Sequence, residues 1–447
     1  MAAYASEVTV LGVLTFLGLG IAALDWERWY PWLLSTSLAL PISAAVYIPG
    51  SGVTPFYVVA GVGLVPLTWQ WLRHRTRPRR MVGGGVLLCF VLWCAAVTAV
   101  GPALFEGLTV VNQSDLNDGL PALIPLTYTT SNMAQLVYLV AAAGVIVFLA
   151  TSRRLPLDLL LPAMVLTMTL SLWRLGHDKA GLPFPVSLVD SSDGRLIDTL
   201  DYRLRGVFTE PSGLAHYATA TLAVCLIMLV FRTGKVRWLY ALVAVEAVVN
   251  IVFSRSGTAV VGGTVVVLVV VVLVVVRIVR SGRSITPLVI GLCVVGIGFL
   301  LTQEAILGYL SEIFDEKYGS QSYDERTTSN LAALELLRDS YGIGVGLGSN
   351  KPSTLWAMLL SCTGVVGTAL YAWFAGTTIW RALKSPVLLA AGVGALSLII
   401  TKCVAGQFLG EPLLVLALGM AACRGQLREP EPDQPAEPVT VPALTAR

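Results

Sequence analysis

The sequence predicts an all-α polytopic membrane protein, with about 12–13 transmembrane helices and a small helical cap on its outer side. Hydrophobic residues make up 55% of the 447 residues and charged residues 13%, and a soluble domain has about twice that charged fraction. The mean hydropathy is +0.76. Apolar runs of membrane-spanning length alternate with polar segments along nearly the whole chain, which is typical of a single helical bundle.

The apolar runs define the spans in order. A helix needs about 20 apolar residues to cross the hydrocarbon core, so the first and last runs are short. The predicted bundle covers residues 1–428, and residues 429–447, rich in Pro, Glu and Ala, are expected to form a disordered cytoplasmic tail. The spans are 8–24, 32–49, 54–72, 82–103, 133–151, 156–173, 212–231, 238–253, 258–276, 286–302, 354–376, 386–404 and 412–423.

Orientation follows from clusters of basic residues, which mark cytoplasmic loops. Every cluster follows an odd-numbered span, so the C-terminus is expected in the cytoplasm. The clusters are Arg73 to Arg80, Arg153 and Arg154, Arg232 to Arg237, Arg277 to Arg283, Arg381 and Lys384, and Arg424 and Arg428.

Three outer segments are longer than turns: 104–132, 174–211 and 303–353. The last is the predicted cap. Within it, apolar residues at helical spacing between Ile306 and Phe314 predict an amphipathic helix. A second helix is expected after Asp324, ending at Asp339.

A group of basic residues departs from the positive-inside pattern. On this topology, eleven of the 30 Lys and Arg residues lie on the outer side. Positive charge kept on the translocated face indicates a negatively charged ligand there, and a lipid-linked diphosphate is the candidate. These residues are Arg174, Lys179, Arg195, Arg203, Arg205, Arg255, Lys317, Arg326, Arg338, Lys351 and Lys402.

The stretch from Asp201 to His216 re-enters the membrane from the outer side. Arg203 and Arg205 carry guanidinium groups whose fork geometry suits phosphate oxygens. Glu210 precedes a proline that can open a helix, and its carboxylate is a candidate general base for a sugar hydroxyl. The alternative is an acid at a helix N-terminus with interfacial arginines. His216 is either a proton partner of Glu210 or a buried, hydrogen-bonded histidine.

Five further charged residues complete the set. Arg255 lies in a short turn between two outer helix ends, where function is favoured over simple snorkelling. Arg326 and Arg338 flank the second cap helix, and pairing with neighbouring acids is their alternative role. Lys402 and Glu411 are expected to form a structural ion pair near the site.

Two loops have a structural alternative that competes with ligand binding. The glycine series 342–348 resembles a phosphate cradle, but no strand precedes it and no Gly-Lys-Ser/Thr follows, so a nucleotide loop is disfavoured. A tight backbone passage explains the glycines equally well. The segment from Asp190 to Gly194 is interpreted as a plain turn rather than a cation loop.

These motifs, taken in order, resemble the bacterial O-antigen polymerase and ligase superfamily of the Wzy/WaaL type, over roughly residues 195–375. The pieces that carry the resemblance are Arg205-Gly-Val-Phe-Thr-Glu-Pro-Ser212, Ser254-Arg-Ser-Gly257, Arg326, Tyr341-Gly-Ile-Gly-Val-Gly-Leu-Gly-Ser349 and Gly364-Val-Val-Gly367. The resemblance implies a type C glycosyltransferase-like bundle in the bacterial cytoplasmic (inner) membrane, active on the outer face without metal or other cofactor. It also implies that Arg205, Arg255 and Arg326 bind the diphosphate of an undecaprenyl-diphosphate-linked oligosaccharide.

The chain departs from the ligase branch of this family at one place. That branch usually has a His just after the glycine-rich turn, whereas the stretch from Asn350 to Trp356 contains none. The departure favours a polymerase and leaves Glu210 as the candidate base. The candidate site thus consists of Glu210 and His216 as catalytic residues, with diphosphate or substrate binding by Arg203, Arg205, Arg255, Arg326, Arg338 and Lys402.

The predicted function is a polysaccharide polymerase, a glycosyltransferase that joins lipid-diphosphate-linked repeat units. One alternative is an O-antigen-type ligase that moves glycan to a different acceptor. The other is a flippase for lipid-linked oligosaccharide, which would show internal repeats or a charged path through the midplane. The expected partners are membrane lipid, a flippase and a chain-length regulator, and no nucleic acid.

Overall fold

The computed structural model describes residues 7–48, 51–74, 81–117, 120–152, 155–191, 203–280 and 321–424. Within these ranges the chain is mostly helical. Its helices are α1 (Val10–Leu24), α2 (Trp26–Ser37), α3 (Pro55–His74), α4 (Gly84–Leu104), α5 (Thr130–Thr151), α6 (Leu161–Ala180), α7 (Val186–Val189), α8 (Pro211–Phe231), α9 (Lys235–Ser254), α10 (Gly257–Arg280), α11 (Gln321–Asp339), α12 (Leu355–Lys384), α13 (Leu389–Val404) and α14 (Pro412–Ala421).

Six of the described helices are long and apolar enough to cross a membrane: α4, α5, α8, α9, α10 and α12. Shorter apolar helices are Val10–Leu24, Pro55–Val65, Leu389–Val404 and Pro412–Ala421. The prediction of a mostly helical, multi-pass membrane protein is confirmed at this level, and the finer count of spans stays a prediction. The span 286–302, the first cap helix and the tail 429–447 lie outside the described residues.

The predicted span at 32–49 is wrong. Helix α2 ends at Ser37, and an antiparallel hairpin of β1 (Val46–Ile48) and β2 (Ser51–Val53) follows. Pro41 lacks the N–H that a continuing helix needs, and the side chains of Val46–Ile48 suit a strand. A second hairpin, β3 (Thr109–Asn117) with β4 (Leu120–Pro125), occupies the outer segment 104–132. The all-α class therefore describes the bundle but not its loops.

Helix α8 lies in the middle of the bundle, where most of its residues are buried and where it packs against α9, α10 and α13. At the end of α8, Arg232 forms a 2.8 Å ion pair with Asp158, which precedes α6. The N–H of Val82, ahead of α4, donates to the carbonyl of Ala422 after α14 (3.1 Å). The basic clusters predict that these ends face the cytoplasm. The opposite end, called the outer end below, therefore gathers the starts of α3, α5, α8, α10 and α14 and the end of α13.

The glycine series forms a tight backbone passage into α12. This helix is broken at Gly364, whose φ of 68° lies in the left-handed region. The segment 342–348 packs against this break, where the N–H of Gly346 donates a hydrogen bond to the carbonyl of Cys362 (2.9 Å). A β-carbon at Gly346 would lie 2.9 Å from the Cα of Thr98 on α4, a distance that only glycine permits. This passage positions the cap helix α11 against the bundle.

Candidate functional site

The outer end of α8 carries His216, which is only 6% exposed. Its Nε2 atom has no hydrogen-bond partner in the described part of the chain. The ring packs against the backbone at Gly406, where a β-carbon would lie 2.8 Å from the imidazole Cε1. A buried polar nitrogen without a partner costs free energy, and it calls for an explanation such as a bound ligand or a catalytic role. His216 therefore marks a candidate site.

Lys402, near the end of α13, lies next to His216. Its Nζ is 3.3 Å from Oε2 of Glu411, the residue that begins α14 as its N-cap, and the lysine side chain is 3% exposed. The expected ion pair is confirmed. A buried ammonium group is stable only when a carboxylate accompanies it, so this pair fixes both ends of the loop 405–411.

The cap helix α11 is tied to the same loop. The hydroxyls of Ser329 and Ser353 are 2.8 Å apart, and the carbonyl of Ser353 accepts a hydrogen bond from the N–H of Gly406 (2.7 Å). Because Gly406 contacts His216, these bonds bring the first half of α11, which includes Arg326, to the outer end of α8.

Arg326 contributes a positive charge that no described residue neutralises. The side chain is half-buried, and its guanidinium makes no hydrogen bond or ion pair with any residue in the described ranges. The charges of Lys402 and Arg326 both act on the His216 ring. The alternative pairing of Arg326 with Asp324 is not formed. Arg338 is exposed at the far end of α11, about 18 Å away along the helix axis, and the structure does not bring it to this site.

Glu210 is the N-cap residue of α8, and its backbone is extended there. Its carboxylate does not cap the helix, and it makes no ion pair or side-chain hydrogen bond with the residues that the structure describes. Its separation from His216 is about 9 Å along the helix axis, and the two side chains share no hydrogen bond. Glu210 is half-buried at the outer end, so its carboxylate is available to accept a proton.

Arg203 and Arg255 lie close together where the segment that leads into α8 meets the end of α9. The Nε of Arg203 donates to the carbonyl of Ser254 (3.4 Å), and the N–H of Leu204 donates to the carbonyl of Phe253 (2.8 Å). Arg255 has a left-handed backbone with a φ of 44°. A non-glycine residue in this region carries strain of about 1–3 kcal/mol, which tends to occur at functional sites.

Arg205 belongs to a different, buried cluster. Its Nη1 and Nη2 donate to the two oxygens of Asp190 (3.2 and 2.6 Å), and Nη1 of Arg174 donates to both of the same oxygens (2.9 and 2.8 Å). Burial raises the pKa of Asp190, but hydrogen bonds from Arg205 and Arg174 and their charges outweigh it, so the pKa lies below its ordinary value. The interpretation of Asp190 to Gly194 as a plain turn missed the pairing of Asp190 with two arginines. The sequence gives no sign of this pairing, because only the fold brings Asp190 to Arg205.

The structure thus divides the predicted site residues. We define the His216 site as His216, Arg326, Lys402 and Glu411, and the Asp190 cluster as Arg174, Asp190 and Arg205. Glu210 lies apart from the His216 site, at the start of α8. The His216 site contains groups without partners among the described residues, whereas every member of the Asp190 cluster is paired. Arg203 and Arg255 form a third group beside α9, in which Arg255 has the left-handed backbone.

An apolar groove lies in the membrane-spanning part of the bundle between α8, α9 and α10. It has an empty volume of about 480 Å³ and apolar walls from residues that include Leu222, Leu226, Ile251, Val266 and Val270. Thr219 lines its upper part, about 4.5 Å along α8 from His216. The groove therefore begins directly beneath the His216 site.

The sequence matches no protein-family model and no curated protein. The geometry of the His216 site and the order of the motifs are therefore the observations that bear on function.

Proposed function

We propose that this protein is a polysaccharide polymerase that works at the outer face of the bacterial cytoplasmic membrane. It transfers a lipid-diphosphate-linked glycan onto another lipid-linked repeat unit. The observation that carries the proposal is the outer end of α8, where an imidazole nitrogen and a guanidinium of the His216 site, together with the carboxylate of Glu210, lack partners among the described residues. Unpaired polar groups in such a position indicate a polar, charged ligand. The resemblance of the motifs to glycan polymerases supplies the identity of that ligand.

In the proposed reaction, a hydroxyl oxygen of the acceptor repeat unit attacks the anomeric carbon of the donor glycan. The bond from this carbon to the diphosphate oxygen breaks, and its electron pair leaves with the diphosphate. Glu210 takes the proton of the attacking hydroxyl, as a general base. The products are the elongated glycan on the acceptor lipid and a free lipid diphosphate. The donor is already activated, so no nucleotide sugar takes part.

Positive charge at the site stabilises the leaving diphosphate, whose charge rises as the bond breaks. Fixed charges of this kind usually make the largest contribution to catalysis. Arg326 is assigned this role because its guanidinium has no partner among the described residues, and Lys402 adds a second charge although it pairs with Glu411. Arg203 and Arg255 add charge at the end of α9.

Arg205 receives a positioning role instead. Its two nitrogens are engaged by Asp190, and Nη1 also donates to the carbonyl of Phe208 (3.0 Å). These bonds hold the segment that leads to Glu210 at the start of α8. The direct diphosphate contact expected for Arg205 is therefore not part of this proposal.

The groove between α8, α9 and α10 suits the tail of the donor lipid. Its apolar walls lie within the membrane span, where an isoprenoid chain is in a compatible environment. It begins one turn below His216, so a lipid with its tail in the groove would have its diphosphate next to Arg326.

A ligase would use the same donor and the same charges, and a flippase would carry the same lipid across the membrane. The products distinguish these functions. Purified protein that receives only lipid-diphosphate-linked repeat units should form a ladder of polymers. Glycan transfer solely to a different acceptor would indicate a ligase, and movement of labelled substrate across vesicles without a ladder would indicate a flippase.

Binding of undecaprenyl diphosphate tests the site without knowledge of the sugar. We expect wild-type protein in nanodiscs to bind it, and Arg326→Ala to weaken binding on the order of tenfold or more, because a charge-assisted hydrogen bond is lost. Lys179→Ala is the matched control, since Lys179 is an exposed cation at the outer end of α6. Equal affinities for wild type and Arg326→Ala would remove Arg326 from the diphosphate site.

A further inference from the structure

A second cavity opens beside the His216 site, on the other side of the loop 405–411. It contains about 650 Å³ of empty space, a figure that includes its open mouth and the solvent in front of it. Its walls come from the outer end of α5, the residues before α12 and the loop itself. The side chains that decide its chemistry are Ser131, Gln135, Tyr138, Lys351, Gln407 and Phe408.

These side chains suit a hydroxyl-rich ligand. The amides of Gln135 and Gln407 each offer donors and an acceptor, so they can bind sugar hydroxyls in either direction. Gln135 is half-buried, and neither its amide nor the Ser131 hydroxyl has a hydrogen-bond partner among the residues described. Tyr138 and Phe408 add aromatic surface, which packs against the C–H faces of a pyranose ring. No carboxylate of the described ranges lines the cavity.

The cavity and the His216 site share a wall. Gly406 contacts the His216 ring, the next residues along the loop line the cavity, and Glu411 returns to pair with Lys402. The wall is held in place from α3, where the Tyr57 hydroxyl donates to the carbonyl of Gly410 (2.6 Å). A saccharide in the cavity would therefore lie across this wall from the His216 site.

We infer that this cavity binds the saccharide of the acceptor repeat unit. The identity of the saccharide as the acceptor rests on the proposed function. Saccharide binding itself is inferred from the side chains that line the cavity. The donor is assigned to the other side of the wall, because Arg326 and Lys402 lie there together with the apolar groove. The acceptor must offer only a hydroxyl, and the cavity provides amides, a hydroxyl and aromatic rings for that purpose.

An array of immobilised oligosaccharides, with neutral hexoses, N-acetylated amino sugars and uronic acids, provides the test. Wild-type protein in nanodiscs should bind a subset of them. Gln135→Leu should weaken this binding about tenfold through the lost hydrogen bonds and leave the affinity for undecaprenyl diphosphate unchanged. Arg326→Ala should show the reverse pattern. Met133→Leu is the control for a change on α5, because Met133 is 61% exposed and does not line the cavity.

The outcomes separate the two proposals. Absence of oligosaccharide binding by wild type, or binding that Gln135→Leu leaves intact, overturns the saccharide site. Oligosaccharide binding without any affinity for undecaprenyl diphosphate supports the site but contradicts the donor lipid of the proposed function. Melting temperatures of all variants show that each remains folded, and Gln135→Leu should melt like wild type because the amide has no described partner to lose.

Discussion

The Asp190 cluster and the His216 site both hold charged groups near the outer end of α8, yet they differ in how those charges are satisfied. In the Asp190 cluster, two guanidinium groups converge on one carboxylate through four hydrogen bonds of 2.6–3.2 Å. In the His216 site, Arg326 has no ion-pair partner among the described residues, and the Nε2 of His216 is buried without a hydrogen bond. Glu210, at the start of α8, also has no ion-pair partner in the described ranges.

This difference predicts a structural role for the Asp190 cluster and a functional role for the His216 site. A buried charge that is fully paired contributes to the position of a segment and has little left to offer a ligand. A polar group that the fold leaves unpaired is costly, and a ligand or a reaction gives it a partner. Removal of a paired group should therefore affect stability first, whereas removal of an unpaired group should affect function and leave stability unchanged.

The largest effect is expected from Glu210→Gln. Loss of a general base lowers the rate by about 10²–10⁴-fold, so polymer ladders in a reconstituted elongation assay should disappear. The melting temperature should stay at the wild-type value, because the carboxylate has no described partner, and undecaprenyl diphosphate should still bind. Full elongation by Glu210→Gln would exclude Glu210 as the base.

Asp190→Ala should reverse this pattern. It removes the carboxylate on which two buried guanidinium groups converge, which costs about 3–5 kcal/mol of the free energy of unfolding. Asp178→Ala is the control, because Asp178 is 4.0 Å from the same Arg174 but 44% exposed, and an exposed pair contributes less than about 1 kcal/mol. Thermal unfolding in detergent measures both. Similar melting temperatures for the two variants would contradict the structural role of the cluster.

Much of the fold follows from hydropathy, because a bilayer imposes the length of an apolar run. The runs at 82–103, 133–151 and 212–231 correspond to helices Gly84–Leu104, Thr130–Thr151 and Pro211–Phe231. The run at 32–49 fails because apolar content does not distinguish a helix from a hairpin that packs on the bundle. There the structure has a short helix and then β1 and β2.

The candidate site was predictable in its residue types but not in its pairing. Arg205 and Arg326 look alike in the sequence, as outer-side arginines in short motifs. Their environments differ because Asp190 reaches Arg205, whereas no described acid reaches Arg326. Such contacts join segments far apart in the chain, and side-chain chemistry alone cannot say which acid meets which arginine. The empty cavity beside Gln135 likewise depends on the packing of several elements.

Substitution of each of these two arginines by lysine is expected to have the smallest effects and tests the comparison directly. Lysine keeps the charge but loses the planar fork. Arg205→Lys should lower the free energy of unfolding by about 1–3 kcal/mol, because one charge-assisted hydrogen bond to Asp190 is lost, while elongation per folded molecule stays near wild type. Arg326→Lys should leave unfolding unchanged and weaken the binding of undecaprenyl diphosphate only severalfold, because the charge remains. Elongation corrected for the folded fraction measures the difference. If Arg205→Lys reduced that corrected rate more than Arg326→Lys, the two arginines would have to exchange roles, and the paired cluster rather than the unpaired site would lie at the diphosphate.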